Sequence, residues 1–118
     1  MQLRARRPMP RDTRLTRASD FAAARRHGRT WSDRWLVLVA RRNQRDVSRV
    51  GFSVGRRVGN AVVRNRTKRR LREAVRLTPA QGGWDLVIIA RRDAASAGFG
   101  RLSRSVTDLF ERAGVLSD

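Results

Sequence analysis

The hydrophobic and polar positions of the chain recur with two periods, which separates predicted helices from predicted strands. In two long segments, residues 60–77 and 99–113, apolar residues return every three to four positions, which predicts amphipathic helices. Gly114 is expected to end the second of them. A shorter, alanine-rich helix, capped by Ser19, is predicted to end at His27.

Further segments have the short apolar patterns of strands. Residues 35–40 are continuously apolar and rich in valine, which is typical of a strand buried on both faces. Residues 49–55 alternate, with only glycine and serine on one face, and residues 84–90 form a third apolar run. A weaker pattern at residues 29–32 predicts a fourth, brief strand. By alternation, one face of the first of these strands carries Trp35, Val37 and Val39.

The order of these elements predicts a single α+β domain, a two-layer sandwich with helices over a small sheet. We expect this domain at residues 15–115. Residues 1–14 contain arginines and prolines with almost no apolar periodicity, which predicts a flexible basic arm. A mitochondrial presequence is the weaker alternative for this arm.

The composition favours a partner with many negative charges. The 118 residues include 28 basic and 10 acidic residues, and the net charge of +18 makes nucleic acid the first choice and acidic lipid the second. The sequence has no cysteine, which fits a reducing compartment, and no apolar run of membrane-spanning length or secretory signal. We therefore expect a cytoplasmic protein with no membrane partner.

The predicted helix at residues 60–77 separates its charges from its apolar residues. Nine of the 21 residues from Arg56 to Arg76 are basic, and only Glu73 is acidic. A solvated basic face is the simpler interpretation, but like charges one turn apart cost about 0.2–0.5 kcal/mol per pair, which favours a partner that relieves the repulsion. Asn60 caps the helix, whose N-terminus adds backbone donors for an anion. The apolar stripe is Val63, Thr67, Leu71, Ala74 and Val75, and the opposite face carries Asn65, Lys68, Arg69, Arg72 and Arg76.

Two features have both a nucleic-acid-binding and a structural interpretation. Phe21, Trp31 and Trp35 either stack on unpaired bases, which stabilises binding by about 1–3 kcal/mol per base, or pack in the core. The glycine-rich face of residues 49–55 is either a floor on which another chain lies closely or a site of strand twist. We assign the other phenylalanines to the core: Phe52, Phe99 and Phe110.

Catalysis by the protein itself has little support in the sequence. His27 is the single histidine, so no histidine pair exists to hold a metal. Asp85 and Asp93 flank strand ends without the spacing of a two-metal or paired-carboxylate site, and we interpret them as caps or surface counter-charges. We expect no catalytic and no metal-binding residue in the protein, so the reactive groups belong to a partner.

One long segment resembles a known family signature. Residues 49–73, RVGFSVGRRVGNAVVRNRTKRRLRE, closely resemble the "RNR" signature of the bacterial ribonuclease P protein subunit. The likeness covers about residues 14–113, and the signature is highly specific. Supporting matches lie at residues 14–15, 20–21, 27–28 and 85–91.

The resemblance implies a fold and a function. The fold would be like domain 2 of ribosomal protein S5, with a mostly antiparallel four-stranded sheet, three helices in the order α-β-β-β-α-β-α, and a left-handed β-α-β crossover in place of the usual right-handed one. The function would be to bind the catalytic RNA of ribonuclease P and the 5′ leader of precursor tRNA, and to assist endonucleolytic removal of the leader. The RNA would hold the catalytic groups and most of the Mg²⁺. No obligate protein partner is implied.

The resemblance and the charge pattern together assign site residues. The RNA-binding residues are Arg56, Arg57, Asn60, Arg64, Asn65, Arg66, Lys68, Arg69, Arg72 and Arg76. A cleft between the first helix and the sheet would hold the single-stranded leader, and its residues are Phe21, Arg25, Trp35, Val37, Val39 and Ser53. Some relatives have aromatic residues at the positions of Arg25 and Val39, which puts base stacking there in doubt; Arg25 would substitute by guanidinium stacking or by a phosphate contact.

Two other functions are the alternatives. A ribosomal or general RNA-binding protein of similar architecture would bind RNA without promoting leader cleavage. A protein-only nuclease would cleave without an RNA subunit, but it would need a carboxylate cluster that the sequence does not contain.

Overall fold

The computed structural model describes residues 13–117 of the chain. Its elements follow the predicted order, with one short helix in addition. They are helix α1 (Ala18–His27), strands β1 (Arg29–Ser32), β2 (Leu36–Arg42) and β3 (Arg49–Ser53), helix α2 (Ala61–Arg76), strand β4 (Trp84–Ala90), a 3₁₀ helix (Arg92–Ser96) and helix α3 (Phe99–Ala113). Each helix in this part of the chain is too short or too polar to cross a lipid bilayer.

The strands form one mixed sheet in the order β1-β2-β4-β3. β1 pairs with β2 and β2 pairs with β4 in antiparallel orientation, whereas β3 and β4 are parallel neighbours. Because α2 connects β3 to β4, these three elements form the β-α-β unit for which the resemblance implies a left-handed crossover. The predicted α+β fold, with three helices and a mostly antiparallel four-stranded sheet, is confirmed.

Helices α2 and α3 cover one face of the sheet and enclose the main hydrophobic core. The predicted stripe of α2 is buried, except that Val63 is only partly buried. Thr67 Oγ1 donates a hydrogen bond to the Val63 carbonyl at 2.9 Å, so this buried hydroxyl is satisfied. Phe52 packs against the edge of this core. The largest fully buried side chains of the main core include Leu36, Leu38, Leu71, Leu86, Ile88, Leu102, Leu109 and Phe110.

Helix α1 lies on the opposite face of the sheet over a smaller cluster. Val39 of β2 and Val87 of β4 are buried there together with Ala24 of α1 and Leu15. Side chains alternate along the strands, so successive residues of β2 and β4 serve the two clusters in turn. The sheet is therefore covered on both faces, as the continuously apolar strands predict.

Trp35 is not on the face that strand alternation predicts. β2 begins at Leu36, and Asp33 Oδ1 accepts hydrogen bonds from the backbone N–H groups of Trp35 and Leu36, each at 2.9 Å. Trp35 lies in this side-chain turn, ahead of the strand, so the alternation does not apply to it. Its ring packs against the main core, with the Arg101 guanidinium 4.2 Å from the ring centroid. The prediction that Trp35 shares a face with Val37 and Val39 is therefore wrong.

Two expectations at helix starts are also wrong. Helix α1 begins before Ser19, and its N-cap residue, Arg17, makes no side-chain capping hydrogen bond. Phe99, assigned to the core, is the first residue of α3 and is 37% exposed. A Cβ atom at the neighbouring Gly98 would also meet open space, although Ala97, one residue earlier, is buried in the main core.

The described part of the chain includes the last two residues of the predicted basic arm. Thr13 is buried, Arg14 pairs with Val50 in a parallel bridge, and the Leu15 N–H donates to the Val50 carbonyl at 3.0 Å. Thr13 and Arg14 therefore belong to the domain, where they cover part of the free edge of β3. The rest of the predicted arm, residues 1–12, lies outside the described residues.

Candidate nucleic-acid interface

Helix α2 presents a cationic wall to a cleft of about 510 Å³ between α2, β3, α1 and the segment that precedes α1. Lys68, Arg69 and Arg72 line this cleft, and their side chains make no hydrogen bond or ion pair with residues 13–117. Cations without counter-charges, facing an aromatic ring, suit the phosphates and bases of a nucleic acid. The other lining residues include Arg14, Leu15, Phe21, Gly51, Phe52, Glu73 and Arg76.

The start of α2 is fixed by its own cap. Asn60 Oδ1 accepts a hydrogen bond from the Val63 N–H at 3.0 Å, which satisfies one of the free donors of the first turn. This turn contains no acidic residue. Arg56 and Arg57, in the turn that leads into the helix, are exposed, so the positive charge continues beyond the N-terminus of α2.

Glu73 is the single acid of α2, and it pairs with Arg76. Arg76 donates from Nε to Glu73 Oε2 at 2.9 Å and from Nη2 to Glu73 Oε1 at 2.5 Å. These hydrogen bonds hold the pKa of Glu73 below its usual value and raise the pKa of Arg76. Glu73 is thus ionised at neutral pH and compensates Arg76, while the charges of Lys68, Arg69 and Arg72 stay uncompensated.

Two other arginines of α2 contact a different part of the protein. Arg66 Nη2 donates to the Ala95 carbonyl at 3.4 Å, and Arg70 Nη1 donates to the Ala97 carbonyl at 3.0 Å. Both arginines therefore tie α2 to the segment that precedes α3. Arg66 is one of the residues assigned to RNA binding, and the sequence did not predict this contact with its own chain.

The bare face of β3 is covered at Gly51 by the chain's own first helix. A Cβ atom at Gly51 would lie 2.5 Å from Phe21 Cζ, so the glycine lets the ring sit directly on the strand. A floor for another chain is therefore the wrong interpretation at this residue. Ser53, two residues further, accepts a hydrogen bond from Arg25 Nη2 at 3.4 Å, and Gly55 faces open space.

The other residues of the predicted leader cleft do not share one surface. Phe21 lines the cleft beside α2, whereas Arg25 and Ser53 line a second groove. Val39 is buried beneath α1, which keeps it out of reach of a ligand, and Val37 is half-buried beside it. The alternation of β2 predicts their common face, but it does not predict that α1 covers Val39.

The second groove, of about 790 Å³, lies where β3 and β4 end. Its charged lining residues are Arg25, Arg34, Arg56, Arg57, Arg91, Arg92 and Asp93. Asp93 accepts a hydrogen bond from Arg34 Nε at 2.8 Å. Sequence reasoning missed Arg34, Arg91 and Arg92. The sequence could have predicted Arg91 and Arg92, because they directly follow β4. The parallel strands β3 and β4 end at the same edge of the sheet, so residues that follow them lie near each other.

A buried ion pair joins the starts of β3 and β4. Arg49 donates from Nε and Nη2 to the two carboxylate oxygens of Asp85 at 2.8 and 2.7 Å, and the two side chains are 14% and 5% exposed. Asn43 Nδ2 donates to the same carboxylate at 3.0 Å. Burial by itself raises the pKa of Asp85, but the hydrogen bonds from Arg49 and Asn43 outweigh burial and hold it below the usual value. Asp85 is therefore not the cap or surface counter-charge that its position suggests.

The acidic residues do not fit a magnesium site. Within residues 13–117, no three histidine, cysteine, aspartate or glutamate side chains are grouped so that they would hold a metal ion. Proteins bind Mg²⁺ chiefly through carboxylate oxygens. Glu73, Asp85 and Asp93 each accept hydrogen bonds from an arginine instead.

Comparison with known proteins gives a consistent result. The family model described as Ribonuclease P matches residues 9–114. The chain is 49% identical to the ribonuclease P protein component of Roseiflexus castenholzii, over 92% of this chain and 91% of the relative. It is 36% identical to that of Clostridioides difficile, over 86% and 91%. Among solved structures, the ribonuclease P protein of Staphylococcus aureus superimposes with a TM-score of 0.80 at 27% identity, over 89% of this chain and 98% of that one. The protein from Thermotoga maritima gives 0.75 at 30% identity, over 84% and 96%.

Proposed function

Because the chain belongs to the ribonuclease P protein family and is a subunit of that enzyme, we propose that the cleft beside α2 binds RNA. The observation that carries this proposal is the wall of Lys68, Arg69 and Arg72, whose side chains form no ion pair with residues 13–117, because Glu73, the one carboxylate that lines the cleft, is bonded to Arg76. Guanidinium groups bind phosphate oxygens in a forked geometry, and they do so best where no carboxylate competes. The main ligand of this wall is the phosphate backbone of the ribonuclease P RNA.

The single-stranded 5′ leader of precursor tRNA is the proposed ligand of the neighbouring surface around α1. Phe21 offers a ring on the strand face, and Arg25 and Ser53 border a groove with several arginines. One aromatic platform beside many cations is the combination that holds single-stranded nucleic acid without reading its sequence. Arg25 lies among other cations, which favours a phosphate contact over stacking for this residue.

Leader removal is proposed to use groups of the RNA subunit. Endonucleolytic cleavage of this kind depends on groups that stabilise charge on the transferred phosphate, for which Mg²⁺ is the usual choice. The described acids do not fit such a metal, so we propose that the Mg²⁺ ions are held mainly by the RNA. The protein neutralises phosphates and holds the leader in place, and no side chain attacks the scissile bond.

Reconstitution tests this function. Adding the purified protein to a ribonuclease P RNA at a Mg²⁺ concentration too low for the RNA alone is expected to restore cleavage of precursor tRNA at the 5′ end of the mature sequence. A general RNA-binding protein would bind without restoring cleavage, and that result would contradict the proposal. Cleavage by the protein without RNA would indicate a protein-only nuclease instead.

Phe21→Ala is expected to weaken binding of precursor tRNA to the reconstituted enzyme more than binding of mature tRNA. The ring contributes about 1–3 kcal/mol if it stacks on a leader base, and mature tRNA has no leader. Equilibrium binding of the two tRNAs to the same enzyme preparation measures the difference. An equal loss for both would mean that Phe21 only packs on Gly51.

A further inference from the structure

Arg49 is shared between two carboxylates that belong to different layers of the fold. Besides its two hydrogen bonds to Asp85 of β4, its Nη1 lies 3.5 Å from Oδ2 of Asp20 in α1. The Asp20 side chain is 28% exposed, so water screens this ion pair only in part. Through Arg49, the first turn of α1 is thus connected to the buried ion pair that joins the two parallel strands.

Apart from its apolar packing over the smaller cluster, helix α1 has few other attachments to the sheet. Ala24 is its one buried residue, and its N-cap makes no side-chain hydrogen bond. The hydrogen bond from Arg25 to Ser53, near its other end, is long and exposed. Within residues 13–117, the contact between Asp20 and Arg49 is the ion pair that holds α1 on the sheet.

Asp20 directly precedes the aromatic residue Phe21 on α1. Successive contacts of α1 follow β3 in order: Asp20 meets Arg49, Phe21 meets Gly51, and Arg25 meets Ser53. Phe21 forms one side of the cleft whose other side is the cationic wall of α2. A shift of the first turn of α1 would therefore change the separation between the ring and that wall.

We propose that Asp20 is a positioning residue for RNA: through Arg49 it holds α1 so that Phe21 stays seated on β3, opposite the cations of α2. Asp20 touches no nucleotide in this scheme. Its effect reaches the leader through the placement of Phe21, so the inference rests on the proposed function. In this scheme the contact between Asp20 and Arg49, which lies outside helix α2, sets the distance between Phe21 and the cationic wall.

This proposal predicts an effect opposite to that of simple electrostatics. Asp20 is a negative charge close to a surface that binds a polyanion, so its removal should by charge alone strengthen RNA binding. If Asp20 positions α1, its removal should instead weaken binding of precursor tRNA. Asp108→Asn is the matched control, because Asp108 is an exposed residue of α3 and the substitution changes the net charge by the same amount.

The experiment compares Asp20→Asn, Asp20→Glu and Asp108→Asn in enzyme reconstituted with ribonuclease P RNA. For Asp20→Asn we expect the affinity for precursor tRNA to fall by about 3-fold, the factor that corresponds to loss of a partly exposed ion pair. The affinity for mature tRNA should not change. Asp20→Glu should recover part of the loss, and Asp108→Asn should leave both affinities equal to or slightly above those of the original protein.

Three results would be decisive. If Asp20→Asn behaves like Asp108→Asn while the original protein still prefers precursor over mature tRNA, the positioning role is overturned and the proposed function stands. An equal loss of both tRNAs in Asp20→Asn would likewise overturn positioning, since it would indicate a general structural defect. If the original protein shows no preference for precursor tRNA, the proposed leader site is overturned, and the role of Asp20 with it.

Discussion

Replacing Asp85 with alanine is expected to lower the free energy of unfolding by about 3–5 kcal/mol, the usual cost of removing one partner of a buried ion pair. The Arg49 guanidinium would keep only the more distant Asp20, and Asn43 would lose an acceptor. Equilibrium unfolding in urea at neutral pH, followed by circular dichroism, measures this change. The midpoint should fall while the dependence on urea concentration stays the same, because the fold is retained.

Asp93→Ala is the control for the Asp85 substitution. It also removes a carboxylate bonded to an arginine, at 2.8 Å, but the Arg34–Asp93 pair lies at the surface, where solvent screens the charges. We therefore expect little change in the free energy of unfolding. Asp85→Asn should fall between the two, because the amide oxygen still accepts a hydrogen bond from Arg49. Equally small losses for Asp85→Ala and Asp93→Ala would contradict the importance of burial for this pair.

The elements with strong local patterns could be predicted from the sequence. Strand β4 has the predicted bounds, because its run of seven residues from Trp84 to Ala90 is apolar apart from Asp85 and is flanked by glycines and arginines. Helix α2 also follows its prediction, because the apolar stripe repeats over four turns and Asn60 caps it. Where the pattern is weaker, at the start of β2, the side-chain turn at Asp33 decides the orientation of Trp35.

Pairings between distant segments could not be predicted in the same way. Arg49 and Asp85 lie directly opposite each other in the parallel register of β3 and β4. That register is fixed only when α2 packs on the sheet, so nothing local to either residue indicates its partner. The same reason applies to Gly51, whose missing side chain is explained by a ring from α1 and not by a ligand.

In the candidate site, too, local features could be predicted from the sequence and contacts between distant segments could not. Helical phase predicts that the cations of α2 lie opposite its apolar stripe, and the exposed positions of Arg69 and Arg72 agree with it. The helical phase does not predict which neighbouring element each arginine side chain contacts. Arg66 and Arg70 meet the carbonyl groups of the segment before α3, whose position depends on the packing of α3. The signature helix therefore combines an open wall with residues that also hold the protein together.

Replacing Arg69 and Arg72 together with alanine is expected to have the largest effect on RNA binding. Each phosphate contact contributes about 0.7–0.9 to the slope of log affinity against log salt concentration, because binding releases condensed counterions. Loss of two contacts should therefore reduce the slope by about 1.4–1.8. Binding of ribonuclease P RNA at several salt concentrations measures it, and the loss of affinity should be greatest at low salt.

A second double variant, Arg70→Ala with Arg112→Ala, separates specific contacts from net charge. It removes the same number of positive charges, but Arg70 and Arg112 donate hydrogen bonds to carbonyl groups of the protein, those of Ala97 and Ser32. We expect its salt slope to stay near that of the original protein, with a modest loss of stability instead. If both double variants reduce the slope equally, RNA is held by the overall charge of the protein and not by the cleft wall of α2. If only the Arg69 and Arg72 double variant reduces the slope, the phosphate backbone lies on that wall. The reason is that Arg69 and Arg72 face the cleft and their side chains have no partner among residues 13–117, whereas Arg70 and Arg112 are bonded to the protein.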